Sequence, residues 1–221
     1  MTGFTWSYSR LKNFETCAKR HYHYDIAKDI KEPSTQQLDY GNDLHGCFEE
    51  RVKKGTPLPL GFGQFEPLLA QLIAGPGKTY AEQKLAITSA FTPSTYFGRD
   101  VWFRTIIDFA KVRERHAAIF DYKTGKPAED LTQLKLMAAT TFVHMPPLVE
   151  VRSALLFVAH NTTKVATFQR SELPAIWAEI LPRVKRMQVA AQTNDYPPKP
   201  GGLCRKYCAV SSCQFHGKGS R

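Results

Sequence analysis

Apolar and polar residues are mixed at helical spacing through the first third of the chain. This pattern predicts a helix over residues 7–26, with Ser7 or Ser9 as its N-cap, and a second helix over residues 40–55. Residues 64–74 are also predicted to be helical. The N-terminal part of the chain is therefore expected to consist of helices.

The pattern changes after residue 78, where aromatic and β-branched residues dominate. Residues 79–88 and 100–112 have the composition of β-strands, and the polar residues 113–116 separate the second of them from a further strand that begins at residue 117. Two strands joined by so short a polar segment predict an antiparallel hairpin.

The further strand ends in the sequence "AIFDYKTGK", residues 118–126. Side chains of a strand alternate between its two faces, so Asp121 and Lys123 lie on the same face. Charged side chains are rarely buried unless they are paired or bound to a metal. A solvent-facing ion pair at a strand end explains this stretch as well as a metal-binding acid does.

The register of the predicted hairpin brings a second acid close to Asp121. If residues 113–116 form the loop, Val112 pairs with Ala117, and counting back along both strands sets Asp108 opposite Asp121. Directly opposed residues share a face, with Cβ atoms about 5 Å apart. Two acids repel each other at that distance unless a cation lies between them.

The remainder of the chain is predicted to form a helix, two strands and a last helix, at residues 130–144, 150–160, 164–170 and 171–192. Asp130 and Gln133 have the spacing of a capping box at the start of the first of these helices. The two strands are joined by a turn at Asn161. Helices before and after the strands predict an α/β fold.

Size and charge narrow the function. The chain has 221 residues, of which 43% are hydrophobic, which is enough for one sizeable domain. The formal net charge of +10 favours a polyanionic partner, with nucleic acid the first candidate. No apolar run is long enough to span a membrane and no signal peptide is recognisable, so we expect a cytoplasmic protein without membrane association.

The cysteines indicate a metal site rather than disulfide bonds. An odd number in a chain expected in the cytoplasm argues against a disulfide framework. Three of the five lie close together in "CRKYCAVSSC". The five are Cys17, Cys47, Cys204, Cys208 and Cys213.

Several motifs occur in an order that resembles the PD-(D/E)xK nuclease superfamily, specifically its RecB-like exonuclease branch. That branch includes CRISPR-associated adaptation nucleases and phage recombination nucleases. The resemblance covers nearly the whole chain, and the ordered set is more specific than any one motif. The motifs are "SYSRLKNFETCAKRHYHY", "GNDLHG", "TIIDFAKV", "IFDYKTGK", "LTQLKLMA" and "CRKYCAVSSCQFHG".

The resemblance implies a fold and an activity. The fold is a restriction-endonuclease-like core, with a central mixed β-sheet flanked by helices. A single domain would span residues 1–221, and a cysteine-rich module at 201–217 would close against the N-terminal helix near Cys17. The implied activity is divalent-metal-dependent hydrolysis of DNA, as an exonuclease in recombination, repair or phage DNA metabolism.

Two alternatives stay open at this point. One is a structure- or sequence-specific endonuclease of the same fold, and the other is a non-catalytic DNA-binding protein. The implied substrate is single- or double-stranded DNA with free ends. A recombination partner protein or homo-oligomerisation is a further expectation, and the source is expected to be a bacterium or a phage.

The resemblance also implies a metal site for Mg²⁺ or Mn²⁺. Asp108 and Asp121 would bind the cation, with His45 as an additional ligand and the carbonyl of Tyr122 as another. Hard divalent cations prefer such oxygen ligands, and a histidine ligand shifts the preference somewhat toward Mn²⁺.

Further catalytic roles follow from the same family pattern. Lys123 would orient or activate the attacking water, and Glu82 matches an acidic position near the site. Gln133 matches the start of a helix motif that contacts DNA or steadies the lysine. Met137 stands where that motif has tyrosine, so the motif is half present.

In the resembling nucleases, one cysteine after the first helix and three near the C-terminus hold a [4Fe–4S] cluster. The matching residues here are Cys17, Cys204, Cys208 and Cys213. Their C-x3-C-x4-C spacing differs from the commoner C-x2-C-x5-C. A structural Zn²⁺ is the alternative, with His216 able to replace a cysteine. Cys47 is expected to be a small buried hydrophobic residue.

Overall fold

The computed structural model describes residues 3–31, 35–127 and 130–218. Their contacts form two compact units. The first consists mainly of residues 35–177, and the second of residues 4–34 together with 178–221. None of the described helices combines the length and the hydropathy that a membrane span requires.

The first unit is built on a six-stranded mixed sheet with the strand order β2-β1-β3-β4-β5-β6. Neighbouring strands are antiparallel except for β4 and β5, which are parallel. The predicted α/β class with a central mixed sheet is confirmed. The strands are β1 (Lys78–Ile87), β2 (Pro93–Ser94), β3 (Phe103–Arg113), β4 (His116–Lys123), β5 (Glu150–Phe157) and β6 (Thr162–Gln169).

The β3–β4 hairpin has the predicted register with a shorter turn. Val112 pairs with Ala117 as expected, but Arg113 also pairs with His116, so two residues rather than four make the turn. Glu114, the first of the two, has a left-handed φ of 53°. Cross-strand pairing therefore continues one position further than the polar composition of residues 113–116 indicates.

Three helices of the first unit pack on the sheet: α3 (Gln36–Lys54), α4 (Glu66–Ile73) and α5 (Thr132–His144). Helix α3 begins at its N-cap Thr35, whose hydroxyl accepts a hydrogen bond from Leu38 N, and ends at Gly55 with φ 74°. A 3₁₀ turn at Leu60–Phe65 precedes α4. These bounds agree with the predicted helices except that α3 starts four residues earlier than position 40.

Side chains of α3 and α4 form a core with one face of the sheet. Leu44 and Phe48 of α3 and Leu69 of α4 pack in one cluster with Phe109 and Tyr122. The cluster fixes the orientation of β4, because Tyr122 can lie in this core only if Asp121 and Lys123 point to the other face.

Helix α5 makes the crossover between the parallel strands β4 and β5. Nine of its thirteen residues are buried, which is the pattern of a helix covered on several sides rather than of a surface helix. Antiparallel neighbours need only short turns, whereas a parallel pair needs such a crossover. The crossover returns the chain to the sheet at Glu150, beside His116, and β5 then runs past Asp121 at Leu155.

The second unit contains the N-terminal helices and the C-terminal segment. The single helix predicted over residues 7–26 is wrong: α1 (Tyr8–Thr16) and α2 (Ala18–His21) are separated by Cys17, and a π-helical turn follows. Cys17 is extended, with φ −165° and ψ 113°, which ends the first helix. Ser7 is the N-cap of α1, since its hydroxyl accepts from Arg10 N.

The remaining elements of this unit are most of α6 (Leu173–Thr193) and the short α7 (Leu203–Lys206). Arg183 of α6 makes a two-pronged ion pair with Glu15 of α1, at 2.7 and 2.8 Å. Near the C-terminus, the Ala209 amide donates to the Tyr24 hydroxyl at 3.1 Å. Two distant parts of the chain are thereby joined within one unit.

Candidate active site

The polar residues that the sequence singled out in the first unit come together where β3 and β4 separate. Up to Phe109 and Phe120 the two strands pair with each other. Beyond this point β3 continues beside β1, and β4 beside β5. Seven residues from α3, β1, β3, β4 and α5 lie at this point. They are His45, Glu82, Asp108, Asp121, Tyr122, Lys123 and Gln133.

His45 lies between two carboxylates and a carbonyl. Its Nδ1 is 3.3 Å from Asp108 Oδ2 and 3.8 Å from Glu82 Oε1, and its Nε2 is 3.2 Å from the Tyr122 carbonyl oxygen. Burial lowers the pKa of His45, but hydrogen bonds to Asp108 and Glu82 outweigh it and raise the pKa to about 10. Without a metal, the imidazole is therefore a cation that holds the two acids together.

Asp108 is fixed by the backbone of the neighbouring strand. Its Oδ2 accepts a hydrogen bond from the Tyr122 amide at 2.6 Å, and its side chain is buried. This bond is made just past the last cross-strand pair of β3 and β4. The predicted juxtaposition of Asp108 with the Asp121 region of β4 follows directly from the hairpin register.

Asp121 has both oxygens engaged by other side chains. Gln133 Nε2 donates to Oδ1 at 2.6 Å, and Lys123 Nζ lies 2.6 Å from Oδ2. The lysine contact lacks hydrogen-bond geometry, so Oδ2 is a buried oxygen with a charge neighbour but no hydrogen bond. Burial and the negative charge of Asp108 raise the pKa of Asp121 to about 6, against the opposing effect of Lys123.

The position of Gln133 corrects one expectation. The predicted capping box with Asp130 is wrong, because Asp130 Oδ1 accepts from Thr132 N while the Gln133 side chain reaches Asp121. The N-cap of α5 is Leu131, which makes no side-chain cap. Met137, four residues further along α5, is fully buried.

Glu82 occupies a distorted point of β1. Its φ is 50°. Glu82 and Asp108 do not pair with each other, although the residues on either side of them in β1 and β3 do. A non-glycine residue in the left-handed region costs roughly 1–3 kcal/mol and persists where the surroundings enforce it. The distortion accompanies the approach of the Glu82 carboxylate to His45.

These residues fit a divalent cation. One ligand atom each from His45, Glu82 and Asp108 lie within 4.8 Å of one another. An octahedral Mg²⁺ with bonds of about 2.0–2.1 Å separates its ligands by about 2.9 to 4.2 Å, so a small contraction completes the site. The Tyr122 carbonyl adjoins this group through His45 Nε2, whereas Asp121 lies outside the 4.8 Å group and acts on Asp108 and His45 through its charge. All of these donors except the imidazole are hard oxygen atoms.

A glycine that the sequence prediction did not use helps to position the site. A Cβ at Gly41 of α3 would lie 3.2 Å from Thr124 Oγ1, just after Lys123. Glycine therefore allows α3 to pack closely on the end of β4. A glycine inside a helix costs up to about 1 kcal/mol, which is the sequence signal that could have identified this close approach.

In the second unit, four cysteines line one cavity: Cys17, Cys204, Cys208 and Cys213. All are free thiols, and the Cys17 sulfur accepts a hydrogen bond from Lys199 N at 3.4 Å. Cys47 lies elsewhere, partly buried against the core under α3, and burial raises its pKa.

The spacing of the four sulfurs can be compared with what each metal candidate requires. Two thiolates on one tetrahedral zinc ion lie about 3.8 Å apart, given bonds of about 2.3 Å. Among the described residues, no three of these sulfurs, with or without His216, lie within 4.8 Å of one another. A [4Fe–4S] cluster binds each thiolate at a different iron and so takes a wider set.

One solved structure of similar fold agrees with the architecture described above. A crystal structure named "Putative exonuclease", from Eubacterium rectale, superposes with a TM-score of 0.52 at 13% identity, covering 98% of this chain and 89% of that one. The crystal structure of SSO0001 gives a TM-score of 0.48 at 11% identity, with the same coverage of 98% and 89%. A comparison with curated proteins gives no match.

A comparison of the sequence with family profiles identifies the family. Residues 5–76 and 65–214 match the sequence profile of one nuclease superfamily, and these two overlapping segments leave out only the chain ends. The matched segments contain the residues of the site and all four cysteines of the cavity. The chain belongs to the PD-(D/E)XK nuclease superfamily.

Proposed function

We propose that this protein is a DNA nuclease that depends on a divalent cation, Mg²⁺ or Mn²⁺. The observation that carries the proposal is the convergence of His45, Glu82 and Asp108 beside the buried Asp121. His45, Asp108, Asp121 and the Tyr122 carbonyl would hold the cation, with Glu82 beside them. When bound, the cation supplies Lewis acidity toward the phosphate and lowers the pKa of a bound water.

The remaining side chains would prepare the attack on the phosphodiester. Lys123 would orient the attacking water and offset the negative charge that develops on the phosphate oxygens. Gln133 would hold the Asp121 carboxylate in place through its 2.6 Å hydrogen bond. The net charge of +10 would draw the polyanionic substrate to the protein.

Within this activity we propose exonucleolytic action on DNA with free ends, in recombination, repair or phage DNA metabolism. The sequence resembles the RecB-like exonuclease branch, and a structure of the same fold carries the name of an exonuclease. A recombination partner protein or a second copy of the chain would act with it.

The test compares linear end-labelled DNA with covalently closed circles, in Mg²⁺, in Mn²⁺ and in EDTA. We expect linear DNA to be degraded only with a cation, and circles to resist. Asp108→Asn should be inactive, whereas Glu114→Gln, an exposed acid in the turn of the same hairpin, should match the wild type.

Two outcomes would change the proposal. Rapid nicking of closed circles would replace the exonuclease by an endonuclease of the same fold. DNA binding without cleavage, in both cations and with folded protein, would leave a non-catalytic DNA-binding protein and refute the proposed activity.

We also propose that Cys17, Cys204, Cys208 and Cys213 hold a [4Fe–4S] cluster. Their shared cavity and their wide spacing support this over zinc. The amide of Lys199 would donate to the Cys17 thiolate, a contact of the kind that tunes cluster potentials. Because the unfolded chain has no preformed site, binding of the cluster would stabilise the second unit.

A further inference from the structure

The loop between β2 and β3 presents an aromatic ring to solvent on a rigid support. The Phe97 side chain is 79% exposed. It belongs to a tight turn closed by a hydrogen bond from Gly98 N to the Thr95 carbonyl, at 2.8 Å. A Cβ at Gly98 would lie 2.7–2.9 Å from the side-chain oxygens of Ser94, Asp100 and Thr95, so a larger residue there would have to displace these side chains.

The next ring links this turn to the candidate active site. Tyr96 packs edge-on against Phe97, with centroids 5.0 Å apart, and the Arg104 guanidinium lies 5.5 Å from the Tyr96 centroid. Burial raises the pKa of Tyr96, Arg104 opposes that effect, and the charge of Glu82 adds to it. Arg104 and Asp108 are four residues apart on β3 and share a face of the sheet, so the contact with Arg104 places the Tyr96 ring on the face that carries Asp108.

Two cations lie on this same face. Lys84 pairs with Ile106 and Ala86 with Arg104, and directly opposed residues share a face, so Lys84 and Arg104 project together. Neither forms an ion pair with another residue in the described parts of the chain. Both charges are thus available to phosphates.

The spacing along β3 matches a short stretch of nucleic acid. Arg104 lies four residues from Asp108, which is ~13 Å along a strand. A stacked nucleic-acid strand rises roughly 3.4 Å per nucleotide, so the distance from Arg104 to Asp108 corresponds to about four stacked nucleotides. An extended nucleic-acid strand spans the same distance with fewer nucleotides.

A single exposed phenylalanine is common and by itself indicates nothing. Here the ring belongs to a hydrogen-bonded turn and is backed by a tyrosine and an arginine. Two cations without an ion-pair partner among the described residues follow, and they lead to a metal-binding group. Aromatic rings and cations in sequence are what single-stranded nucleic acid binds, because the bases stack and the phosphates pair. Bases inside a duplex are stacked on both faces and offer none to such a ring, whereas an unpaired strand exposes a face at each base that is not stacked on its neighbours, and a blunt end exposes only its terminal pair.

We propose that Phe97, Tyr96, Arg104 and Lys84 form a single-strand strip, which holds the unpaired end of a DNA substrate next to the scissile phosphate, with one base stacked on Phe97. This inference rests on the proposed nuclease function and adds its substrate class. Single-stranded ends and overhangs are bound in preference to blunt duplex ends.

The test measures equilibrium binding by fluorescence anisotropy, with a labelled oligothymidine and a labelled blunt duplex, in the Asp108→Asn background so that nothing is cleaved. Phe97→Ala weakens single-strand binding by about five- to 150-fold, the effect of losing one base stack, and leaves duplex binding within about twofold. Phe97→Trp restores single-strand binding. Tyr207→Ala, at a ring that is 72% exposed in the other unit, changes neither.

The role of the two cations is tested by the salt dependence of single-strand binding. Arg104→Gln and Lys84→Gln each reduce the slope of log affinity against log salt concentration by about 0.7 on single strands. Lys54→Gln serves as the control, since Lys54 is exposed and already paired with Glu50 at 2.7 Å. An unchanged slope in both variants would show that Arg104 and Lys84 do not contact the phosphates of the bound strand.

Three results overturn the proposal: wild-type protein that does not bind oligothymidine, unchanged binding in Phe97→Ala, or an equal loss on the duplex. Failure of the proposed function looks different. If single-strand binding depends on Phe97 but no DNA is cleaved in Mg²⁺ or Mn²⁺, the strip stands and the nuclease proposal fails. If linear DNA is cleaved while Phe97→Ala behaves as wild type, the nuclease proposal stands and the strip fails.

Discussion

Replacing Asp121 by asparagine should inactivate the protein and, without a divalent cation, make it more stable. The Asp121 carboxylate is buried beside Asp108, and both effects raise its pKa from 3.8 to about 6. The folded protein therefore holds this proton more tightly than the unfolded chain does. Ionisation of Asp121 consequently opposes folding whenever the pH is above this range.

The size of the effect follows from the two pKa values. At about 1.36 kcal/mol for each pH unit between them, ionised Asp121 costs the folded state about 3 kcal/mol. For an acid with a raised pKa, stability is fully present below the unfolded pKa of 3.8 and is lost as the pH rises through about 6. The asparagine side chain of the variant would not titrate, and its carbonyl would still accept from Gln133.

The assay is urea unfolding of wild type and Asp121→Asn, freed of divalent cations, well above pH 6 and below pH 4. We expect the variant to be more stable by up to about 3 kcal/mol at the higher pH, or about 6–12 °C in Tm for a chain of this size. At the lower pH the difference should largely vanish, because both side chains are then neutral.

Asp25→Asn is the matched control with the opposite sign. Burial alone would raise the pKa of Asp25, but hydrogen bonds from His21 and Asn13 lower it overall, so its ionised form favours folding. Its replacement should reduce stability at the higher pH. The reasoning is refuted if Asp121→Asn also reduces stability there, or if its effect is the same at both pH values.

Three further results are expected. Lys123→Met should lower kcat on linear DNA at least ~100-fold while DNA binding persists. Lys126→Met, in the exposed segment that follows, should keep its kcat. Equal activity of the two variants would exclude Lys123 from the chemistry. Divalent-cation affinity measured by calorimetry should rise with pH, because His45, with a pKa raised to about 10, must release its proton to bind metal, and a flat profile would exclude it as a ligand. Cys17→Ala and Cys208→Ala should both lose iron and visible absorbance while Cys47→Ala keeps them, and one zinc per chain instead would contradict the cluster.

The hairpin shows what the sequence could predict. Its register followed from apolar residues on both sides of a short polar segment, since a slip by one residue would move Phe120 and Tyr122 out of the core. The pairing of Asp108 with the Asp121 region came with it. The turn length was missed because Arg113 and His116 are polar and nevertheless pair.

Other features depend on partners that are distant in sequence. Gln133 has capping-box spacing, but Asp121, on another element, binds its side chain instead. Glutamate has no preference for a left-handed φ, so nothing in "YAEQK" indicates the distortion at Glu82. The residues around Cys17 are compatible with one continuous helix, and the break there places its sulfur beside Lys199.

The β3–β4 hairpin with its two-residue turn also constrains how this gene can change length. Residues 109–113 of β3 pair with residues 116–120 of β4, and an insertion or deletion inside either segment must be absorbed as a bulge or must turn part of β4 over. A single-codon deletion inside these segments should therefore behave as a null allele, whereas one at the exposed Glu114 or Arg115 can be absorbed by opening the Arg113–His116 pair. Genetic screens would separate the paired segments from the turn without any biochemistry.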